Sequence, residues 1–263
     1  MEERLEWIRL APQAWAHWEP ARGGLQVQPL IARRYPQSAC FMVESEPRRA
    51  EAGARATVAT WWRRWRGPAL HHGPGVPDGA VQMLWANMAL HMAADPQDLM
   101  ARWHRALATG GFLMFSCLGP DTLRELRALS GALGWPPPAH QFTDMHDWGD
   151  MLVAAGFAEP VMDMERITLT WESPERLLAE LRELGTNLHP ARFAALRGRG
   201  WRESLAQALA GALAGADGRL ALTFEIIYGH AIKPAPRLKV SEHSAVSLED
   251  MRALLHANPR SGQ

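Results

Sequence analysis

The run GFLMFSCL (Gly111–Leu118) is apolar at almost every position and is bounded by glycine and by Gly119-Pro120. It reads as a strand covered on both faces, because a half-solvated strand would alternate with polar residues. A strand of that kind sits at the centre of a sheet and needs helices above and below it. The chain supplies them. Two further runs, SACFMVE (Ser38–Glu44) and AVQMLWAN (Ala80–Asn87), read as strands, and amphipathic stretches lie between. Pro96–Leu107 places Leu99, Trp103 and Leu107 at i, i+4 and i+8, one buried stripe, with Gly110 as the stop. Strand and helix alternate in this way around a mostly parallel sheet.

The remaining elements follow the same rhythm and then change it. Ala14–Trp18 is a first, poor strand with a helix over Leu25–Tyr35, and helix Pro47–Thr57 follows the second strand. Ala69–His71 is a short third strand. After the central run, Pro120–Ser130 and Asp144–Ala155 read as helices and Val161–Trp171 as a strand. Three helices, Pro174–Leu184, Pro190–Leu196 and Arg202–Ala214, then precede a last strand, Arg219–His230, whose Leu220, Leu222, Phe224, Ile226 and Tyr228 share one face. The reading is one domain over residues 1–235, with a helical lid insert at about 172–218 and a tail over 236–263 carrying a short helix near Leu248–His256. Such an insert caps the carboxyl edge of the sheet, where open α/β sheets bind ligands.

Composition excludes several classes. Lys plus Arg and Asp plus Glu both total 28, so no global charge attracts nucleic acid or anionic lipid. TWWRRWRGP (Thr60–Pro68) could stack on bases or lie in a membrane interface. Its place between a helix and a strand favours indoles packed inward and arginines outward. The amino terminus, MEERLEWIRLAPQ, has no apolar signal region, and no transmembrane-length apolar run occurs, so a soluble cytoplasmic protein is expected. Cys40 and Cys117 lie in apolar runs and read as small buried hydrophobes. His71-His72 lacks a third ligand at recognisable spacing, so no metal is expected.

Five blocks carry a resemblance. They are VPDGAVQMLWANMALHM (Val76–Met92), ATGGFLMFSCLGPDTLRELR (Ala108–Arg127), HDWGDMLVAAGFAEPVMD (His146–Asp163), ELRELGTNLHPARFAALRGR (Glu180–Arg199) and LTFEIIYGHAIKP (Leu222–Pro234). In this order the chain resembles the class I S-adenosylmethionine-dependent methyltransferases, and within them the malonyl-acyl-carrier-protein O-methyltransferase family of biotin synthesis. ARRYPQSACFMVESEPRRAEAGARA (Ala32–Ala56) is similar more faintly. The resemblance implies a Rossmann-like α/β fold: a seven-stranded sheet with an antiparallel last strand, helices on both faces and a lid before that strand.

It also implies a site. Glu44 matches the acidic position that accepts the ribose hydroxyls of S-adenosylmethionine, Gly23 remains from the cofactor loop, and Asn87 follows strand four into the crevice. His91 would line the methyl-acceptor side. Arg192, Arg197 and Arg199, with Arg202, would meet the free carboxylate of a malonyl group and the acidic carrier protein, since guanidinium suits bidentate capture of carboxylates. The opening stretch departs from the pattern. His17 stands where the family has aspartate, and Trp18, Glu19, Pro20 and Ala21 fill the glycine loop. Proline fixes φ and removes a donor, and an indole takes space. The adenine-binding aspartate falls in Leu70-His71-His72 and another aspartate is Gln82; set against the family pattern, the amino end is expected to be without the family's additional helix. Each charged hydrogen bond lost to a ligand costs about 1.5–3 kcal/mol. Two readings stay open: a carboxyl methyltransferase with an eroded cofactor site, or a catalytically inactive relative that binds or regulates a partner.

Overall fold

A computed structural model describes residues 1–56 and 69–236; the Trp/Arg segment and the helix expected near Leu248–His256 lie outside the described residues. The strands are β1 Ala14–Trp18, β2 Ala39–Val43, β3 Leu70–Gly73, β4 Val81–Asn87, β5 Leu107–Leu118, β6 Ala158–Trp171 and β7 Leu220–Ile232. They form one seven-stranded sheet in the order β3-β2-β1-β4-β5-β7-β6, with β7 antiparallel to both neighbours. The expected seven-stranded α/β architecture is the one observed. Chain order reverses between β1 and β4, and the carboxyl ends of those strands open the crevice where such sheets bind ligands.

Strand parity sorts the side chains. In β1, Ala16 and Trp18 join a core with Leu84, Leu113, Phe115, Trp103 and Trp148, under α4 (Pro96–Ala106) and α6 (Met145–Ala154). Trp15 points the other way, into Met83, Trp85, Phe112 and Ile31 of α2 (Val27–Arg34), where Leu5 also packs. Asp95 and Asp144 start α4 and α6 by accepting backbone N–H groups, the usual way to satisfy helix-end donors. Gln82 accepts the N–H groups of Gln13 and Ala14 at 3.0 and 2.9 Å, so this side chain holds the start of β1 against β4.

A third core joins the insert before the last strand to the sheet. After α3 (Pro47–Ala56) and α5 (Arg124–Ala132), helices α7 (Pro174–Glu183) and α8 (Arg199–Leu213) are inserted between β6 and β7. Leu205, Leu209 and Leu213 of α8, at i, i+4 and i+8, pack with Leu177, Leu222, Phe224 and Leu126 of α5. Two expectations are corrected here. Pro190–Leu196 is not a helix: the N–H of His189 donates to Asn187 Oδ1 and that of Ala191 to His189 Nδ1, local bonds that replace the helical ladder. The helix expected from Pro120 begins at Arg124, because Leu123 takes a left-handed φ of 58° and Thr122 is tied to Glu225 through its hydroxyl. Among the described residues, no helix is long and apolar enough to cross a membrane.

Candidate functional site

The departures at the end of β1 are absorbed by the backbone. The Trp18 indole is 3% exposed and packs edge-on against Trp103, with the Arg102 guanidinium 5.1 Å above its ring. Its bulk therefore lies in the core below the sheet and not in the crevice, contrary to the expectation from its place in the loop. Glu19 adopts the left-handed conformation, φ 47° and ψ 53°, that glycine would supply. That costs a non-glycine residue about 1–2 kcal/mol. Pro20 opens a short helical turn, α1 (Pro20–Gly23), at a position where its missing N–H would have no helical partner anyway.

The turn aims at the acidic residue. The Ala21 N–H donates to Glu44 Oε1 at 2.7 Å, while Glu44 Oε2 is buried without a hydrogen-bond partner. Burial holds the Glu44 carboxyl above its ordinary pKa; the nearby Glu19 adds to this, and the Ala21 N–H, Arg49 and Arg22 oppose it. Gly23 lies against the end of β4, where Asn87 Nδ2 donates to its carbonyl and a Cβ would fall onto the Asn87 carbonyl oxygen. The Ser116 hydroxyl donates to Asn87 Oδ1, so loop, β4 and β5 meet on one side chain. Gly23, Glu44 and Asn87 are thus brought together at the topological switch point.

His17 is not part of the crevice. It is fully buried, stacked on Trp15 at 5.6 Å, and neither ring nitrogen has a hydrogen-bond partner; desolvation lowers its pKa to about 3.

His91 sits on a single 3-10 turn, Leu90–Met92, just beyond β4. Its Nδ1 accepts the Leu118 N–H at 3.3 Å, which leaves the proton on Nε2. Burial, then the neighbouring His140 and Arg22, lower its pKa to about 3, so the ring is neutral. His140 contacts the His91 carbonyl through Nε2 at 3.0 Å. A cavity of about 110 Å³ opens here, walled by His91, Met92, His140, Phe142, Leu123 and Phe224. Beside it, a cavity of about 550 Å³ lies between the Trp135–Pro138 loop and the insert before β7, and Arg192 and Arg197 line it. Arg199 does not: it opens α8 on the exposed surface. His140, Phe142 and Trp135 belong to a proline-interrupted loop with no periodicity, and nothing in the sequence singled them out. Among the described residues, no group of His, Cys, Asp and Glu is placed to hold a metal ion.

No family model matches the chain. Relatives that align over most of both chains are nevertheless clear. The malonyl-[acyl-carrier protein] O-methyltransferase of Gallionella capsiferriformans is 37% identical over 258 residues, 90% of this chain and 83% of the relative. The protein of the same name from a Methylovorus species is 34% identical over 248 residues, 92% of this chain and 82% of the relative. Among solved structures, the fold is similar to a candidate methyltransferase of Bacillus halodurans, with a TM-score of 0.58 and 14% identity over 89% of this chain and 99% of the other. It is similar also to YcgJ of Bacillus subtilis, with a TM-score of 0.57 and 12% identity over 89% of this chain and 97% of the other. The identity to the curated relatives, spread over nine-tenths of the chain and set on this sheet order, leads to one conclusion: the chain belongs to the malonyl-[acyl-carrier protein] O-methyltransferase family.

Proposed function

We propose that the protein methylates the free carboxylate of a malonyl group carried on an acyl-carrier protein, with S-adenosylmethionine as methyl donor. The observation that carries this reading is the relationship to malonyl-[acyl-carrier protein] O-methyltransferases along 90% of the chain. The residues fit the donor. Glu44 Oε2 is a buried acceptor lacking a hydrogen, and a ribose hydroxyl is the donor that would complete it.

When bound, S-adenosylmethionine supplies an electrophilic methyl group on a sulfonium. The acceptor carboxylate is already nucleophilic at pH 7, so the protein needs to orient it more than to take a proton from it. Neutral His91, with its proton on Nε2, suits that task as a hydrogen-bond donor rather than a base. Leu123, Phe142 and Phe224 give the smaller cavity an apolar wall. Glu44 and Asn87 are assigned to the donor side in this reading; neither is on the wall of either cavity.

A second reading is favoured by one observation. Glu44 is only 5% exposed and one of its oxygens is occupied by the chain's own Ala21 N–H, as in a relative that has closed its donor site. The discriminating experiment supplies radiolabelled S-adenosylmethionine and malonyl-carrier protein. Base-labile label on the carrier is the expected result; none at any enzyme concentration favours the non-catalytic reading.

A further inference from the structure

This inference rests on the reading just proposed and concerns the other end of the substrate. The arginines line only the larger cavity: Arg182, Arg192, Arg197 and Arg202 are on its wall, and none is on the wall that holds His91. No arginine therefore stands on the wall beside His91, where the reacting carboxylate is assigned in the reading above. The arginines suit a second anion further along the same molecule. The two cavities share Leu126, Pro138, Leu181, Gly185 and Asn187 as wall, so one extended ligand can run through both. In a malonyl thioester, the reacting carboxylate is at one end and the next charged group along the arm is a phosphate.

The larger cavity matches such an arm. Its volume, about 550 Å³, is that of a small-molecule site, and its wall is mainly aromatic, aliphatic and proline, with no acidic residue. The Arg197 guanidinium is held between two rings, 4.1 Å from the Phe193 centroid and 3.9 Å from that of Trp201. Stacking fixes the plane and leaves the N–H edge for an anion. Among the described residues, no carboxylate forms an ion pair with any of the four arginines. Phe193 is 48% exposed and Leu196 wholly so, apolar surface of the kind a bound ligand completes.

We infer that the larger cavity holds a phosphorylated pantetheine-type thioester arm, with Arg197, clamped between Phe193 and Trp201, as the anchor for its phosphate. A carrier protein's prosthetic arm and coenzyme A share this chemistry. Calorimetry with the whole protein tests it, using 4'-phosphopantetheine, unphosphorylated pantetheine, coenzyme A and the carrier protein as titrants. The wild type is expected to prefer the phosphorylated arm about tenfold or more. Arg197→Gln should abolish that preference while pantetheine affinity stays as it was, and Arg197→Lys should keep part of it. Binding of coenzyme A as tight as that of the carrier identifies the arm alone as the ligand, and tighter carrier binding adds a protein surface to it; either supports the inference. Equal affinity of the wild type for both arms would overturn it. So would an Arg197→Gln protein that keeps the preference, or one that loses affinity for the carrier but not for 4'-phosphopantetheine. Titration of the same proteins with S-adenosylhomocysteine separates the two claims: failure of the wild type to bind it defeats the methyltransferase reading and leaves the arm site standing.

Discussion

Glu44→Ala is expected to weaken S-adenosylhomocysteine binding about 100-fold or more. The carboxylate stands at the carboxyl end of β2; its free Oε2 is the acceptor for one ribose hydroxyl, and Oε1, which already accepts the Ala21 N–H, has a second lone pair for the other. Hydrogen bonds to a charged group are worth about 1.5–3 kcal/mol each, so losing two amounts to about 3 kcal/mol or more, and each 1.4 kcal/mol is tenfold. The variant should fold. A buried carboxylate with one unsatisfied oxygen does little for stability, so removing it leaves the thermal midpoint near that of the wild type or higher. Calorimetric titration of both proteins, alongside their melting curves, reads the two effects separately. An affinity within threefold of the wild type would take Glu44 out of the donor site.

Acid is expected to weaken the fold well before the carboxylates titrate. His17 is fully buried with a pKa lowered to about 3 from an ordinary 6.5, purely through loss of solvent. The folded state thus holds the neutral ring, and the unfolded chain takes up the proton first as pH falls. Stability is complete above pH 6.5 and declines progressively towards pH 3. For His17 the loss reaches about 2 kcal/mol at pH 5. His91 titrates in the same direction, with a smaller contribution because it is partly exposed. Urea midpoints measured from pH 8 to pH 4.5 should fall, and His17→Phe should remove about 2 kcal/mol of that fall at pH 5 while filling the same stacked place on Trp15. A variant whose pH profile parallels the wild type would show that His17 is hydrated or paired.

How far the sequence reached depended on whether a pattern specified a face as well as an element. Apolar runs located β2, β4 and β5, because strands buried on both sides need little else. Glu44 was singled out through the family resemblance and Asn87 through its place after β4; both contact the Pro20–Gly23 turn, through the Ala21 N–H and the Gly23 carbonyl. Trp18 departs from its expected place for a reason that the same periodicity explains: in AWAHW, Ala16 and Trp18 share a face, but whether that face meets a helix or a ligand depends on Trp103, far away in the chain. Pro20 looked disruptive because the loop pattern calls for glycine, whereas at the start of a helical turn a proline removes nothing the turn would use. Arg192 and Arg197 were legible as a cation cluster, yet which end of a substrate they face depends on how the irregular Gly185–Gly198 loop closes over Trp135 and Trp201, and no period encodes that.

The most direct test of the donor site is a calorimetric titration of the wild-type protein with S-adenosylhomocysteine. A dissociation constant in the micromolar range is the predicted outcome. Absence of heat at millimolar ligand, from protein shown to be folded, would contradict the account and leave a family member that binds its partner without transferring a methyl group.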